Sequence, residues 1–357
     1  MKLKNKIIVI AEAGVNHNGS LSTAKKMVKV AKECGADAIK FQSFSADEIT
    51  CTDTMRAKYQ ARSNDTLESQ YVMLKKLELS KSSFNELNNL CKEYQIEFMS
   101  TPFDINNAKY LIEELKMEKI KIASGEIINH ELLYQLGKYK KPIILSTGMS
   151  DISEIEYALD VISCSMFNVD FKEGYFTKLS KEKRIEISKY IILMHCISEY
   201  PAPYNEINLN SIKYLKDKFK IKVGLSDHTM GTFIPVAAVA LGAEVIEKHF
   251  TLNKDMKGPD HSSSLNPNEL KEMVINIRET NRSFGIYDKK PSKSEMMNIS
   301  SIRRSIVAKK EILKGEKFTN NNICLKRANG KYNPINLFDV LGKKSKNNYK
   351  KDQLIHE

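Results

Sequence analysis

No apolar run in the 357 residues approaches the roughly 20 that a membrane-spanning helix needs, so an integral membrane protein is not expected. Cysteine is sparse and scattered. Cys34, Cys51, Cys91, Cys164, Cys196 and Cys324 contain no Cys-x-x-Cys pair. That spacing supports neither a disulfide framework nor a thiolate zinc site, and a reducing, cytoplasmic setting is the expectation. No Gly-x-Gly-x-x-Gly follows the first β-branched run, where a dinucleotide-binding fold needs one. The basic start runs into Ile7-Ile8-Val9-Ile10, which is too short for a secretion signal and passes straight into Glu12 and Asn16-His17-Asn18. It reads as a first strand.

Against these absences stand 41% hydrophobic and 28% charged residues, which exclude global disorder. The length suits a large domain plus a small one, at roughly 100–200 residues per domain. The net charge is +12, and from Ile286 onward there are 17 basic against 7 acidic side chains. A solvated lysine-rich face is the ordinary reading of such an excess, with attraction of small anionic substrates next. Nucleic-acid binding is not expected, because Phe318, Tyr332, Phe338 and Tyr349 are scattered rather than interleaved with the basic residues.

A repeated unit dominates the first 285 residues: a short β-branched run, a polar turn, then a helical stretch. The runs are Ile7–Ala11, Ala38–Phe41, Glu97–Ser100, Ile120–Ala123, Pro142–Leu145, Ile191–Met194, Ile221–Leu225 and Val245–Lys248. Leu21–Cys34, Lys81–Tyr94, Asn106–Leu115 and Ser153–Ile162 carry helical periodicity between them. Eight alternations predict a closed (β/α)8 TIM barrel over 1–285. Residues 286–300 read as a charged linker. A compact β-rich module over 301–357 follows, small enough to gain from docking on the barrel or a second subunit.

Barrel enzymes carry their chemistry where strands end, and polar residues stand at all eight predicted ends. They are Glu12; Lys40 and Gln42; Ser100-Thr101; Lys121 with Ser124-Gly125-Glu126; Ser146-Thr147-Gly148; His195; Ser226-Asp227-His228; and Lys248-His249. His228 and His249 end consecutive strands, and two neutral imidazoles with open positions suit a divalent cation such as Mn2+. Lys40 and Gln42 share one face of their strand. Lys121 arrives from the fourth strand among Ser124, Ser146 and Ser226. Two lysines at one mouth repel unless an anion lies between them, which points to a phosphate or carboxylate ligand. Glu12, Glu126 and Asp260, the last in the turn Gly258-Pro259-Asp260-His261, are candidate proton carriers or sugar contacts.

Together these residues resemble the sialic acid synthase family over essentially the whole chain. The resemblance rests on Ala11-Glu12-Ala13-Gly14-Val15-Asn16-His17-Asn18-Gly19, Lys40-Phe41-Gln42-Ser43-Phe44, Ser100-Thr101-Pro102-Phe103-Asp104 and Lys121-Ile122-Ala123-Ser124-Gly125-Glu126. It continues through Ser146-Thr147-Gly148-Met149, His195-Cys196-Ile197-Ser198-Glu199-Tyr200-Pro201, Gly224-Leu225-Ser226-Asp227-His228-Thr229, Glu247-Lys248-His249-Phe250-Thr251 and Gly258-Pro259-Asp260-His261. The tail resembles the antifreeze-like (SAF) module of these synthases through Arg304-Ser305-Ile306-Val307-Ala308 and Lys326-Arg327-Ala328-Asn329-Gly330.

The resemblance implies a cytoplasmic enzyme that condenses phosphoenolpyruvate with an open-chain N-acetylated hexose and releases phosphate. It implies a phosphoenolpyruvate pocket of Lys40, Lys121, Ser124, Ser146 and Ser226, with Ser198 at a position where some members carry Asn. His228 and His249 would be the metal ligands, for Mn2+ or alternatively Mg2+ or Co2+. Glu12, Gln42, Tyr200 and Asp260 would surround the sugar, with Glu12 moving a proton. Arg327 would reach the site of a partner subunit in a domain-swapped homodimer. The loop Tyr200–Glu206, with Glu68-Ser69-Gln70 and Leu77-Glu78-Leu79, looks most like the diacetyllegionaminate branch. N-acetylneuraminate synthases share nearly the same stretches, and 3-deoxy-octulosonate or heptulosonate synthases are more distant alternatives.

Overall fold

The computed structural model describes residues 6–57, 68–328 and 336–356. Met1–Asn5, Asn329, Gly330 and Tyr332 lie outside the described residues. The chain divides into two compact units, Met1–Phe284 and Gly285–Glu357.

In the first unit eight strands form one parallel sheet: β1 Ile8–Gly14, β2 Ala38–Ser43, β3 Glu97–Pro102, β4 Ile120–Ile122, β5 Ile143–Ser146, β6 Ile191–Cys196, β7 Lys222–Asp227 and β8 Val245–His249. The order is β3-β2-β1-β8-β7-β6-β5-β4, so β1 pairs with β8 and the sheet curls round as a barrel. β3 and β4 lie side by side at the remaining junction, which carries no ladder hydrogen bonds among the described residues. The architecture is a nearly closed eight-stranded parallel barrel, as the alternation of runs and helices predicts. The helices pack outside it. The expected helix over 106–115 is composite: Ile105–Lys109 is α-helical, and Tyr110–Glu114 winds wider, with Leu115 N donating to Tyr110 O at 3.1 Å.

Strand alternation sorts the side chains into two layers. Ile10, Ala38, Met99, Ile144, Ile192, Met194 and Val245 fill the barrel interior. Their strand neighbours Val9, Ala11, Ile39, Phe41, Ile120, Ile122, Leu193, Leu225 and Ile246 pack outward against the helices. The same parity points Glu12, Lys40, Gln42, Lys121, Ser146, Ser226, Glu247 and His249 inward. It turns Ser100, His195, Asp227 and Lys248 outward, although each stands at a strand end. Ser100 exchanges a 2.7 Å hydrogen bond with Ser43, and His195 Nε2 meets Ile207 O at 2.5 Å. Lys248 pairs with Asp227 and donates to Thr229 O at 2.6 Å in the outer layer. A polar strand end therefore marks the mouth for alternate residues, not for all of them.

The second unit has its own core of Ile306, Ala308, Ile312, Phe318, Ile323, Val340, Tyr349 and Ile355. It is organised on an antiparallel pair, β9 Arg304–Ala308 with β10 Ile323–Arg327. The stretch expected as a linker contains a helix, Lys293–Ile302. Its start is fixed by a reciprocal cap in which Ser292 accepts from Glu295 N and Glu295 accepts from Ser292 N. None of its residues is buried.

The outer Lys248–Asp227 pair makes a stability prediction, because removing one partner strands a buried charge. Asp227→Ala is expected to cost about 3–5 kcal/mol, whereas Asp227→Ala with Lys248→Met recovers most of it. Urea denaturation of the three proteins checks this, and an equal loss in single and double variants contradicts it.

Candidate active site

The inward side chains line a cavity of about 600 Å³ at the C-terminal ends of the strands. Its floor is a four-membered charge cluster. Lys40 Nζ lies 2.8 Å from Glu12 Oε2 and donates to Thr101 Oγ1 at 2.7 Å. Lys121 Nζ donates to Ser146 Oγ at 2.6 Å and Ile122 O at 2.9 Å. Glu247 stands between the two cations, 3.9 Å from Lys40 Nζ and 3.6 Å from Lys121 Nζ, and accepts from Ser226 Oγ at 3.0 Å. The anion that the paired lysines demand is thus supplied by the protein itself. Strand register accounts for the cluster, since Glu12 is opposite Lys40 on one side and His249 on the other, and Glu247 is opposite Ser226.

Burial pushes both carboxyls up, and the lysines separate them. Glu12 is pushed up from the usual 4.5 to about 7, by desolvation first and by the neighbouring Glu247, despite Lys40. For Glu247 desolvation acts upward too, but Lys121 and Lys40 overcome it and hold the group below its ordinary value. Glu247 stays charged and Glu12 is the carboxyl poised to exchange a proton near neutrality. Burial lowers Lys121.

Four serines complete the polar wall. Ser124, Ser146, Ser198 and Ser226 all line the cavity. Ser124 Oγ accepts from Gly148 N at 3.1 Å. A Cβ on Gly148 would stand 2.4 Å from Ser198 Oγ and 2.7 Å from Ser124 Oγ, so this close approach needs glycine. Glu126 lines the same wall, raised by burial, with Asn129 Nδ2 donating to it at 2.8 Å. Gln42 Nε2 approaches Glu12 Oε1 at 3.4 Å.

His228 and His249 both line the cavity, their ring centroids 5.5 Å apart. Tyr200 lies over His228 with centroids 4.0 Å apart. His228 Nδ1 is 2.6 Å from the Ile197 carbonyl, which fixes the ring and leaves Nε2 for another partner. His249 Nδ1 is buried without a hydrogen bond, 4.0 Å from Asp260 Oδ2. Desolvation first, then His228 and Lys40, holds His249 well below its usual value, so it stays neutral with a lone pair free. An orphaned nitrogen beside an oriented imidazole fits a divalent cation whose remaining positions are filled by water or substrate oxygens. Among the described residues no group of three or more His, Cys, Asp or Glu is arranged to hold a metal.

Asp260 is buried and raised to about 6 by desolvation. The first βα loop holds it in place. Asn16 Nδ2 donates to Phe250 O and to Ser264 Oγ, both at 2.9 Å, and Ser264 Oγ donates to Asp260 O at 2.6 Å. His261 joins Thr251 Oγ1 at 2.7 Å and Asn18 Oδ1 at 3.1 Å.

Glu12, Lys40, Gln42, Lys121, Ser124, Glu126, Ser146, Ser198, Tyr200, Ser226, His228 and His249 thus line one cavity, with Asp260 beside His249, whereas Ser100, His195, Asp227 and Lys248 face the helices. Arg327 belongs to the second unit, exposed on β10. Glu247 and Cys196 carry no site role in the sequence reading, and Thr101 appears there only as a polar strand end. The signal for Glu247 was present, since it shares a strand face with Val245 and His249.

A parallel barrel with buried ammonium groups, hydroxyls and paired imidazoles at its C-terminal mouth is the architecture of an enzyme. Residues 27–289 match the NeuB family, and the chain belongs to that family. It is 47% identical over 352 residues to the N,N'-diacetyllegionaminic acid synthase of Campylobacter jejuni subsp. jejuni serotype O:2, with 99% of each chain covered. The N,N'-diacetyllegionaminic acid synthase of Legionella pneumophila subsp. pneumophila is 41% identical, over 94% of this chain and 89% of that one. Among solved structures, the N-acetylneuraminic acid (sialic acid) synthetase of Leptospira borgpetersenii serovar Hardjo-bovis, in complex with citrate, superposes with a TM-score of 0.67. It is 32% identical, covering 83% of this chain and 90% of that one.

The raised carboxyls tie stability to pH. Their folded-state values, about 7 for Glu12 and about 6 for Asp260, lie above the usual 4.5 and 3.8. The folded state therefore binds these protons more tightly, and the stability they confer is complete below the usual values and lost as pH rises through about 6 to 7. Chelator-treated Glu12→Gln is expected to gain melting temperature relative to wild type between pH 5 and pH 8. Parallel melting curves across that range would contradict the assignment.

Proposed function

We propose that the protein is a nonulosonic acid synthase. It condenses phosphoenolpyruvate with 2,4-diacetamido-2,4,6-trideoxymannose, giving N,N'-diacetyllegionaminate and phosphate. The observation that carries this reading is the pair of buried lysines bridged by a carboxylate and flanked by serine hydroxyls and two imidazoles. The 47% identity to a diacetyllegionaminate synthase supports the choice of sugar over N-acetylmannosamine, the alternative acceptor.

Lys40 and Lys121 take the carboxylate and phosphate of phosphoenolpyruvate, with Ser124, Ser146, Ser198 and Ser226 satisfying further oxygens. Entry of this anion competes with Glu12 and Glu247 for the ammonium groups, which favours a protonated Glu12. Carbon C3 of the enol attacks the aldehyde C1 of the open-chain sugar, and Glu12 delivers a proton to the oxygen that becomes a hydroxyl. Water captures the cationic centre left at C2 and returns one proton to Glu12, and the tetrahedral centre collapses to the ketone by C–O cleavage, its second proton leaving with phosphate. Gln42 and Asp260 orient the sugar hydroxyls, Glu126 adds a contact at the rim, and Tyr200 packs beside the acetamido group. A divalent cation held by His228 and His249, Mn2+ in our reading with Mg2+ or Co2+ as alternatives, supplies Lewis acidity toward the aldehyde.

In the same reading the second unit is a SAF module, and two chains form a domain-swapped homodimer in which the partner's Arg327 completes the sugar site. Six free cysteines accord with a cytoplasmic setting. No helix among the described residues is long and apolar enough to cross a membrane.

Phosphate release from phosphoenolpyruvate in the presence of Mn2+ tests the reading. The diacetamido sugar is expected to give a kcat/KM at least about tenfold above that of N-acetylmannosamine. Lys121→Met is expected to lower turnover by about a hundredfold or more. A preference for N-acetylmannosamine would move the assignment to an N-acetylneuraminate synthase.

A further inference from the structure

The cavity has two chemically distinct ends. Its floor is the charge cluster, whereas its outer wall on the β2–β3 side is mainly apolar, formed by Phe44, Ile49, Ala57, Leu74 and Phe103 together with Gln70, whose Oε1 accepts from Thr50 Oγ1 at 3.2 Å. Phe44 lies four residues beyond Lys40 on the same face of the chain leaving β2, about 13 Å farther toward the mouth at the strand rise. The wall is rigidly backed. Phe44 packs with Val15, Met73 and Leu77 in a small core separate from the barrel interior, and Ile49, Leu74 and Phe103 pack against it. The Phe44 and Phe103 rings meet edge to face at 6.2 Å. Ile49 and Leu74 come from two short helices, Ala46–Ile49 and Gln70–Leu77, placed over the strand ends.

Such a surface is poorly suited to the far end of an ordinary hexose. A hydroxymethyl group pressed against its apolar members, Ile49 and Leu74, loses hydrogen bonds to water without replacement, whereas a methyl group gains from the same contact. The acceptor's C1 must lie at the charged floor, so its C6, five bonds away, points toward the mouth. We propose that this wall is the specificity element for the acceptor's C6 methyl, with Ile49 and Leu74 as its partly exposed contact residues. The inference rests on the proposed function and adds to it the part of the site that selects a 6-deoxy sugar.

The test compares 2,4-diacetamido-2,4,6-trideoxymannose with its 6-hydroxy counterpart, which differs at C6 alone. The readout is the ratio of their kcat/KM values, which does not depend on the fraction of active protein. Wild type is expected to prefer the 6-deoxy sugar by about tenfold or more. Ile49→Thr, which is one carbon shorter and carries a hydroxyl, and Leu74→Asn, which keeps the branched shape, are each expected to lower that ratio by about fivefold or more. An unchanged ratio in both variants, or no C6 preference in wild type, overturns the proposal while leaving the synthase reading intact. A wild type that prefers N-acetylmannosamine to both diacetamido sugars overturns the diacetyllegionaminate assignment, and this inference falls with it.

Discussion

Two ammonium groups and two carboxylates share the floor of one barrel, and the remaining features of the site are arranged around that constraint. Charges so deeply buried persist only if each keeps a partner and further hydrogen bonds. Thr101 and Ser146 provide these for the lysines, and Ser226 does so for Glu247. The carboxylates lie between and beside the ammonium groups that an anionic ligand would meet, so they balance the charge of the floor. A ligand must redistribute charge rather than fill a void. The divergence of Glu12 from Glu247 gives the cluster one member that can take up a proton while the other holds the lysines together.

Much of this was legible in the chain because a parallel barrel writes a simple code. Buried runs between helices gave the strands, and the observed segments differ from the expected ones mainly by extending farther toward the mouth. Alternation along Ile8, Ile10 and Glu12 makes Glu12 an inward carboxylate. The same rule applied to Val245, Glu247 and His249 identifies Glu247, whose charge only makes sense once β8 is seen between β1 and β7. Where polarity at strand ends was read without alternation it over-included, and Ser100, His195, Asp227 and Lys248 face the helices. The helix within 286–300 has clear capping residues but buries nothing, so no hydrophobic face announced it.

The apolar outer wall was the least legible part. Phe44 and Phe103 follow strand ends while Ile49 and Leu74 sit on two short helices between β2 and β3, and each alone reads as ordinary packing. Their common function arises from folding those segments over one mouth. The adjoining β1–β8 side is built differently: Asn16, Asn18 and His261 tie the first loop to the last through polar contacts that hold Asp260.

The junction between β3 and β4 gives the barrel a direction of compliance. Lys40 is fastened through Thr101 to the bank that ends in β3, and Lys121 through Ser146 to the bank that begins at β4. Every other neighbouring pair is stitched by peptide hydrogen bonds, so a small splaying of the staves would widen the gap between the two cations without breaking a rung. The spacing of the clamp is therefore set by the Glu247 strut opposite the split as much as by the sheet.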